Sequence, residues 1–336
     1  MRTSAGIVVV LAALGTALAV NRWGHGPRPL AAGDERSAGS PGTSGAESRQ
    51  GDEESRTVSA AWALDGAREL RASSNCGAVT FAPSESEEVR LKWTARAGGE
   101  QATAERFVRE ARVTWSREGD AYVVTSVWPW EQQPPELHRA RVDLEITGPA
   151  RLRVHLVCQN GAVEASGPAQ ARLETQNGAV CLRDCAGTAE VNTMNGAVTV
   201  ERCGGALHAS SQNGALKLSG CRGPVEASTQ NGEVRVAGAQ GPVDASAVNG
   251  PVQVDLEAST SAPDVRLETQ TGEIRLTVPL TTSARVTADS QTGSVEIGTE
   301  SERRDLGAHA ERVLGAGDGH ISLKTTLGAI RLVEEG

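Results

Sequence analysis

An all-β chain wound as a parallel β-solenoid is the fold class this sequence predicts, and three observations lead to it. Six Asn-Gly dipeptides, Asn160-Gly161, Asn177-Gly178, Asn195-Gly196, Asn213-Gly214, Asn231-Gly232 and Asn249-Gly250, are separated by 17 residues once and then by 18 four times. Between them apolar and polar residues alternate in two short runs per unit, as at Leu216 and Leu218 and again at Val225 and Ala227. From residue 151 to residue 336 there is no Phe, Tyr or Trp.

A fixed short period marks a repeat architecture whose units stack because none can bury an apolar face alone. Period-two alternation makes each unit two half-buried strands, and an interior of Val, Leu, Ile and Ala makes the coil thin. The expected object is a right-handed β-helix of about ten rungs wound from a single chain. One local signal points elsewhere: Asn-Gly between alternating runs is the strongest short-range hairpin cue, because both residues tolerate positive φ. An antiparallel meander or sandwich is therefore the alternative. A meander, however, does not need the same residue at the same place every rung. In a solenoid each asparagine stacks about 4.8 Å above its equivalent, and its amide hydrogen-bonds along the ladder.

Taken in order, residues 1–19 combine Arg2, an apolar stretch over 5–18 and the small-x-small site Ala17-Leu18-Ala19. This is the pattern of a signal peptide, or of an N-terminal anchor if uncleaved. Residues 20–56 are Gly/Ser/Pro-rich, with Leu30 the only large aliphatic between 24 and 54, and read as a disordered linker. Residues 57–157 form a first rung, opened by Asn75-Cys76-Gly77-Ala78-Val79, and an aromatic-rich cap. Strands are expected there at 89–93, 113–115, 122–127 and 142–146, and a helix at 101–112 whose Phe107, Val108 and Ala111 share one face. Residues 158–336 carry the repeats. Thr271-Gly272 and Thr292-Gly293 follow at spacings of 22 and 21, an insertion spans 299–319, and Leu327-Gly328 closes the array. Within the insertion, 305–314 reads as a short helix.

The charge of −9 is scattered, with no basic block, so nucleic acid and anionic lipid are not expected partners; a membrane is involved only through an uncleaved N-terminal segment. The six cysteines fit an exported protein and contain no CxxC pair; Cys185, Cys203 and Cys221 recur at the repeat period and are expected to form a ladder of packed thiols. The histidines, His25, His138, His155, His208, His309 and His320, share no metal-ligand spacing. Acids are dispersed: Glu226 and Asp244 occupy equivalent positions, as do Glu201 and Ser219, and each reads as a solvated face. No cofactor, metal or catalytic residue is expected. Trp128-Pro129-Trp130 is the one candidate contact for a ligand or partner, since indoles on a stiff loop stack on sugars or anchor proteins; the same rings also suit a plug for the cap.

The opening rung from Glu69-Leu70-Arg71-Ala72 into Asn75-Cys76-Gly77-Ala78-Val79, the broad insert, the tandem Asn-Gly-x-Val rungs and the closing Thr326-Leu327-Gly328-Ala329-Ile330 together resemble the DUF4097 family of β-strand repeats. These are bacterial "putative adhesin" domains related to the head-GIN (DUF2807) β-helices. The resemblance covers about residues 58–334 and implies the architecture and an adhesion-like role, with no catalytic residues. Cys76 in place of asparagine and the cysteine ladder depart from the pattern. The expected function is an exported, periplasmic or envelope-associated, non-enzymatic structural or adhesin-like module whose partner is an unknown envelope protein or polysaccharide. A partner-binding sensor or accessory protein of an envelope system, or a polysaccharide-active β-helix enzyme, are the alternatives.

Overall fold

A computed structural model of the chain describes residues 44–50, 53–130, 133–299 and 303–335. The leader expected at 1–19 and His25 lie outside the described residues.

Each turn of the coil is built from two strands. Leu207–Asn213 enters the Asn-Gly corner and Leu216–Ser219 leaves it. Entering strands collect into one sheet of thirteen strands and leaving strands into another of fifteen. Between neighbouring rungs the pairing is parallel and in register: Leu207 lies beside Val225 and Asn213 beside Asn231, while Leu216 lies beside Val234. Alternation then fixes what faces inward. Ala189, Leu207, Val225, Val243 and Val265 line one sheet and Val180, Val198, Leu216, Val234 and Val252 the other, all buried. The chain is a parallel β-solenoid with eleven parallel levels, and the antiparallel alternative is excluded along its body.

The Asn-Gly corner is not a hairpin turn. None of the six asparagines has a positive φ, and neither does Gly214. Glycine is needed at 214 because a Cβ there would lie 1.9 Å from the carbonyl oxygen of Gly196 on the rung below. The asparagine amides form the expected ladder: Asn195 Nδ2 donates to Asn177 Oδ1, Asn213 to Asn195, Asn231 to Asn213 and Asn249 to Asn231, at 2.8–2.9 Å. Gly161, Gly232 and Gly250 have φ of 155–158°, nearly extended, whereas the left-handed conformation near +60° occurs at the opposite corner, at Gly167, Asp184, Arg202, Gly220 and Gly238 on successive rungs. Asp184 and Arg202 hold this left-handed conformation without being glycine, joined by an ion pair at 2.5 Å.

A third inward column was not anticipated. Two residues before each corner asparagine sits a buried hydroxyl that donates to a corner glycine carbonyl of the adjacent rung: Thr175 to Gly161, Thr193 to Gly178, Ser211 to Gly196 and Thr229 to Gly214, at 3.0–3.2 Å. Cys158 takes this place one rung earlier, with its thiol toward Gly77 O at 3.1 Å. Ala247 is the exception.

Both ends depart from simple succession. At the C-terminal end, the last copy in sequence, Gly319–Leu327 with Ile330–Glu335, inserts between the rung Asp264–Thr271 with Ile274–Pro279 and the rung Ala284–Ser290 with Val295–Thr299. Leu327-Gly328 therefore does not close the stack. The 299–319 insertion lets the chain cross back, and its strands cap the edge. The helix expected at 305–314 is instead strand His309–Leu314, antiparallel to Ala284–Ser290. The unpaired edge strand offered backbone partners that a helix would have left exposed, and charged Glu311 and Arg312 blunt the new edge.

At the N-terminal end the first rung, Glu69–Cys76 with Val79–Ser84, is flanked outside by Ala121–Val127 and Leu137–Pro149. Antiparallel strands Arg112–Glu118 and Glu88–Gly99 extend the two sheets there, and the helix Gln101–Glu110 packs its Ala104, Phe107 and Val108 inward. The linker assignment of 20–56 is corrected where it is described: Ser44–Gln50 and Glu53–Ala63 are strands, the latter paired along its whole length with Glu88–Gly99. A long ladder of backbone hydrogen bonds orders a sequence too polar to order itself.

A charged groove as the candidate functional site

On the outer face of the thirteen-stranded sheet two neighbouring columns run along the coil. One is charged or ionisable: His155, Arg172, Glu190, His208, Glu226, Asp244 and Arg266 are in register on successive strands. The other, at the edge of the strands, is short through its middle: Thr188, Ala206, Pro224 and Pro242, all exposed. Long side chains beside short ones leave a trough. It is a groove of about 920 Å³, bounded by Glu69 and Arg153 at one end and by Asp264 and Arg266 at the other. Eight strands, seven spacings of about 4.8 Å, make it roughly 30 Å long.

The two halves of this groove differ in electrostatics. In the N-terminal half every carboxylate is matched. Glu69 bonds Arg71 at 2.6 Å, which holds its carboxyl below the usual range. Beside the groove, in the column that also carries Glu268, Glu174 sits 3.6 Å from His155 and 2.5 Å from Arg172, and both hydrogen bonds lower its pKa against the cost of burial. Glu190 is 3.3 Å from Arg172. In the C-terminal half Glu226 has only His208, at 3.2 Å. Arg266 lines this half and makes its ion pair with Glu268, at 3.4 Å. Among the described residues Asp244 and Asp264 have no hydrogen-bond or ion-pair partner, and partial desolvation against the groove raises the Asp244 pKa against the charge of Arg266.

The stacking of Glu226 on Asp244, read from the repeat as a solvated face, is thus one stretch of a groove wall. Sequence could have located the column, because register follows from the period. It could not supply the trough, which depends on neighbouring strand-edge residues being short.

The other candidates have definite places. Trp128 meets the Phe107 ring edge-on with centroids 5.1 Å apart, and Trp130 stacks on Phe107 at 6.2 Å with Arg106 over the Trp130 ring. Both indoles are half-buried at the cap, and neither lines the groove. Cys185 and Cys203 pair in register, buried, with both thiols directed at Gly187 O at 3.6 and 3.4 Å; Cys221 follows, its neighbour Arg222 N donating to Cys203 O. All six cysteines are free thiols, and burial pushes Cys158 up to about 12 and Cys221 to about 11. Cys76 stacks on Asn160. His309 pairs with Asp289, which raises its pKa. No group of three or more His, Cys, Asp or Glu among the described residues is arranged to hold a metal ion, and no described helix is long and apolar enough to cross a membrane.

Residues 150–332 match the family model described as Toastrack DUF4097. The chain belongs to this family. No curated protein matches it. Among solved structures, this DUF4097 chain is similar to a putative adhesin from Bacteroides fragilis, at 13% identity and TM-score 0.41, covering 82% of this chain and 97% of that one. It is also similar to a putative cell adhesion protein from Clostridium sporogenes, at 10% identity and TM-score 0.24, covering 88% and 100%. A putative adhesin from Parabacteroides merdae follows at 9% identity and TM-score 0.31, covering 84% and 97%.

Proposed function

We propose that this protein is an exported, non-enzymatic binding module of the cell envelope, adhesin-like in that it holds a partner against a static surface. The observation that carries the reading is the groove: a trough roughly 30 Å long on a face whose backbone is locked rung to rung. An elongated, preformed surface of this kind suits an extended partner, and it needs no conformational change to engage one. The leader pattern of residues 1–19 supports export, by cleavage or as an anchor.

The reading is tested by passing an envelope extract over the immobilised protein and assaying the same preparation for turnover of polysaccharides. Retention of a defined component without turnover is expected. Turnover abolished by Glu226→Gln alone would make the protein an enzyme, and no retention at all would end the binding-module reading. The double substitution Trp128→Ala with Trp130→Ala distinguishes the two candidate surfaces. If the groove binds, the double variant loses cap packing on Phe107 yet keeps its ligand. Loss of binding in a variant that melts normally would place the contact on the indoles.

A further inference from the structure

Of the two halves of the groove, the C-terminal one is left electrostatically incomplete. Glu226, Asp244 and Asp264 line consecutive strands. The one arginine among them, Arg266, lines the groove and its charge reaches Asp244, but its ion pair is with Glu268, so three carboxylates share one cation already engaged. Beside these acids lies a shelf of Ala206, Pro224 and Pro242. The partner that completes such a surface brings positive charge for the acids and slender apolar surface for the shelf. Lysine and arginine side chains have that division, an aliphatic stem and a charged head.

We propose that the C-terminal half of the groove docks an extended, cationic peptide segment of a partner protein, with lysine or arginine heads on Glu226, Asp244 and Asp264 and their stems on Ala206, Pro224 and Pro242. In an extended peptide running along the coil, side chains of one face recur about every 7 Å; the three carboxylates span about 10 Å along the coil, with Asp264 in the shelf column next to Pro242, so two cations at i and i+2 reach all three. Anionic polymers are repelled by the same wall. A neutral glycan finds no aromatic ring in the groove on which to stack. Backbone pairing with the sheet is closed to any partner, because the inner strands already bond to neighbours on both sides. Recognition therefore goes through side chains and falls as salt rises.

This assignment rests on the binding-module reading and deepens it. The test uses the full chain and three probes at low salt: a blocked peptide alternating lysine and alanine, its glutamate counterpart, and a glucosamine trimer as the cationic sugar. The lysine peptide is expected to bind, to weaken with salt, and to lose about tenfold in affinity when Asp244→Asn and Asp264→Asn are combined. Glu190→Gln, in the matched half, should change affinity less than twofold. No binding of the lysine peptide, equal binding of the glutamate peptide, tighter binding of the sugar, or full affinity in the double variant would each overturn the proposal. Running the envelope capture with the same double variant separates the two readings. Capture by both proteins leaves the module standing and removes only this site; capture by neither removes the module.

Discussion

Two strips of one sheet, the Asn-Gly corner and the charged column, are repeated with the same period and obey opposite rules. At the corner the chemistry hardly changes from rung to rung: asparagine amides bond in sequence, a hydroxyl serves a glycine carbonyl, and the next glycine lies against it. In the charged column every rung differs, from Arg172 through Glu190 and His208 to Glu226 and Asp244. The corner is uniform because each residue there is the packing partner of its own equivalent, so a change on one rung is felt on the next. The column is free to vary because its side chains meet water and, in half of it, one another. Uniformity therefore marks what holds the coil together, and variation marks where recognition can be written.

That contrast is broken most directly at the corner. Gly214→Ala is expected to destabilise by about 3 kcal/mol or more, since its Cβ meets backbone that cannot yield. A melting temperature within a degree of the parent would show that the corner has room the structure does not display. The effect is steric and owes nothing to φ, so alanine and valine should both be poorly tolerated.

Thr229→Val, which keeps shape and removes the hydroxyl, should cost about 1–2 kcal/mol by leaving Gly214 O without its side-chain donor. The natural exception gives the converse. Ala247→Thr supplies the missing hydroxyl beneath Gly232, and a gain of about 0.5–1 kcal/mol in denaturant unfolding is expected. No gain would mean that the column is filled for volume and not for hydrogen bonding.

The smallest effects lie in the charged column and the carboxylate beside it, where the two halves should differ in sign. Glu174 has a folded pKa below its ordinary 4.5, so its contribution is present above that value and is lost as pH falls through the folded pKa. Glu174→Gln should therefore cost about 1 kcal/mol at neutral pH and little in acid. Asp244 has a folded pKa above its ordinary 3.8, so its contribution is full below 3.8 and is lost as pH rises through the folded pKa. Asp244→Asn should then raise stability at neutral pH by a few tenths of a kcal/mol, allowing for solvent screening, and change nothing in acid. Equal signs for the two substitutions would abolish the distinction between a matched and an unmatched half.

Much of this molecule was readable from its residues. The 18-residue period alone sets which residues stack, so the ladders of Asn195, Asn213 and Asn231 and of Cys185 and Cys203 could be placed without coordinates. The same period, together with alternation, assigns Leu207 and Val225 to the interior and Glu226 and Asp244 to the surface. Even the hydroxyl column leaves a signal, the Thr or Ser two places before asparagine at 175, 193, 211 and 229, though only the fold shows what it bonds. These features depend on neighbours one rung away, a distance at which sequence spacing and spatial spacing are the same thing.

What needed the tertiary structure is whatever depends on partners far along the chain. The insertion of 319–335 between two earlier rungs, the strand at 309–314, and the ordering of 53–63 against 88–99 are choices about which free edge a segment covers, and local pattern carries no information about that edge. The groove belongs to the same class. Its wall was visible as a list of charges, but its trough exists because four short residues at the strand edges fall side by side, and its unmatched half exists because the ion pair of Arg266 is made with Glu268. By itself the sequence determined the coil and the register of its ladders, since both follow from a repeated local contact. Where the coil ends, how its edges are closed and which carboxylates remain without a partner were decided only by the folded chain, because those outcomes turn on competition among contacts that sequence spacing does not measure.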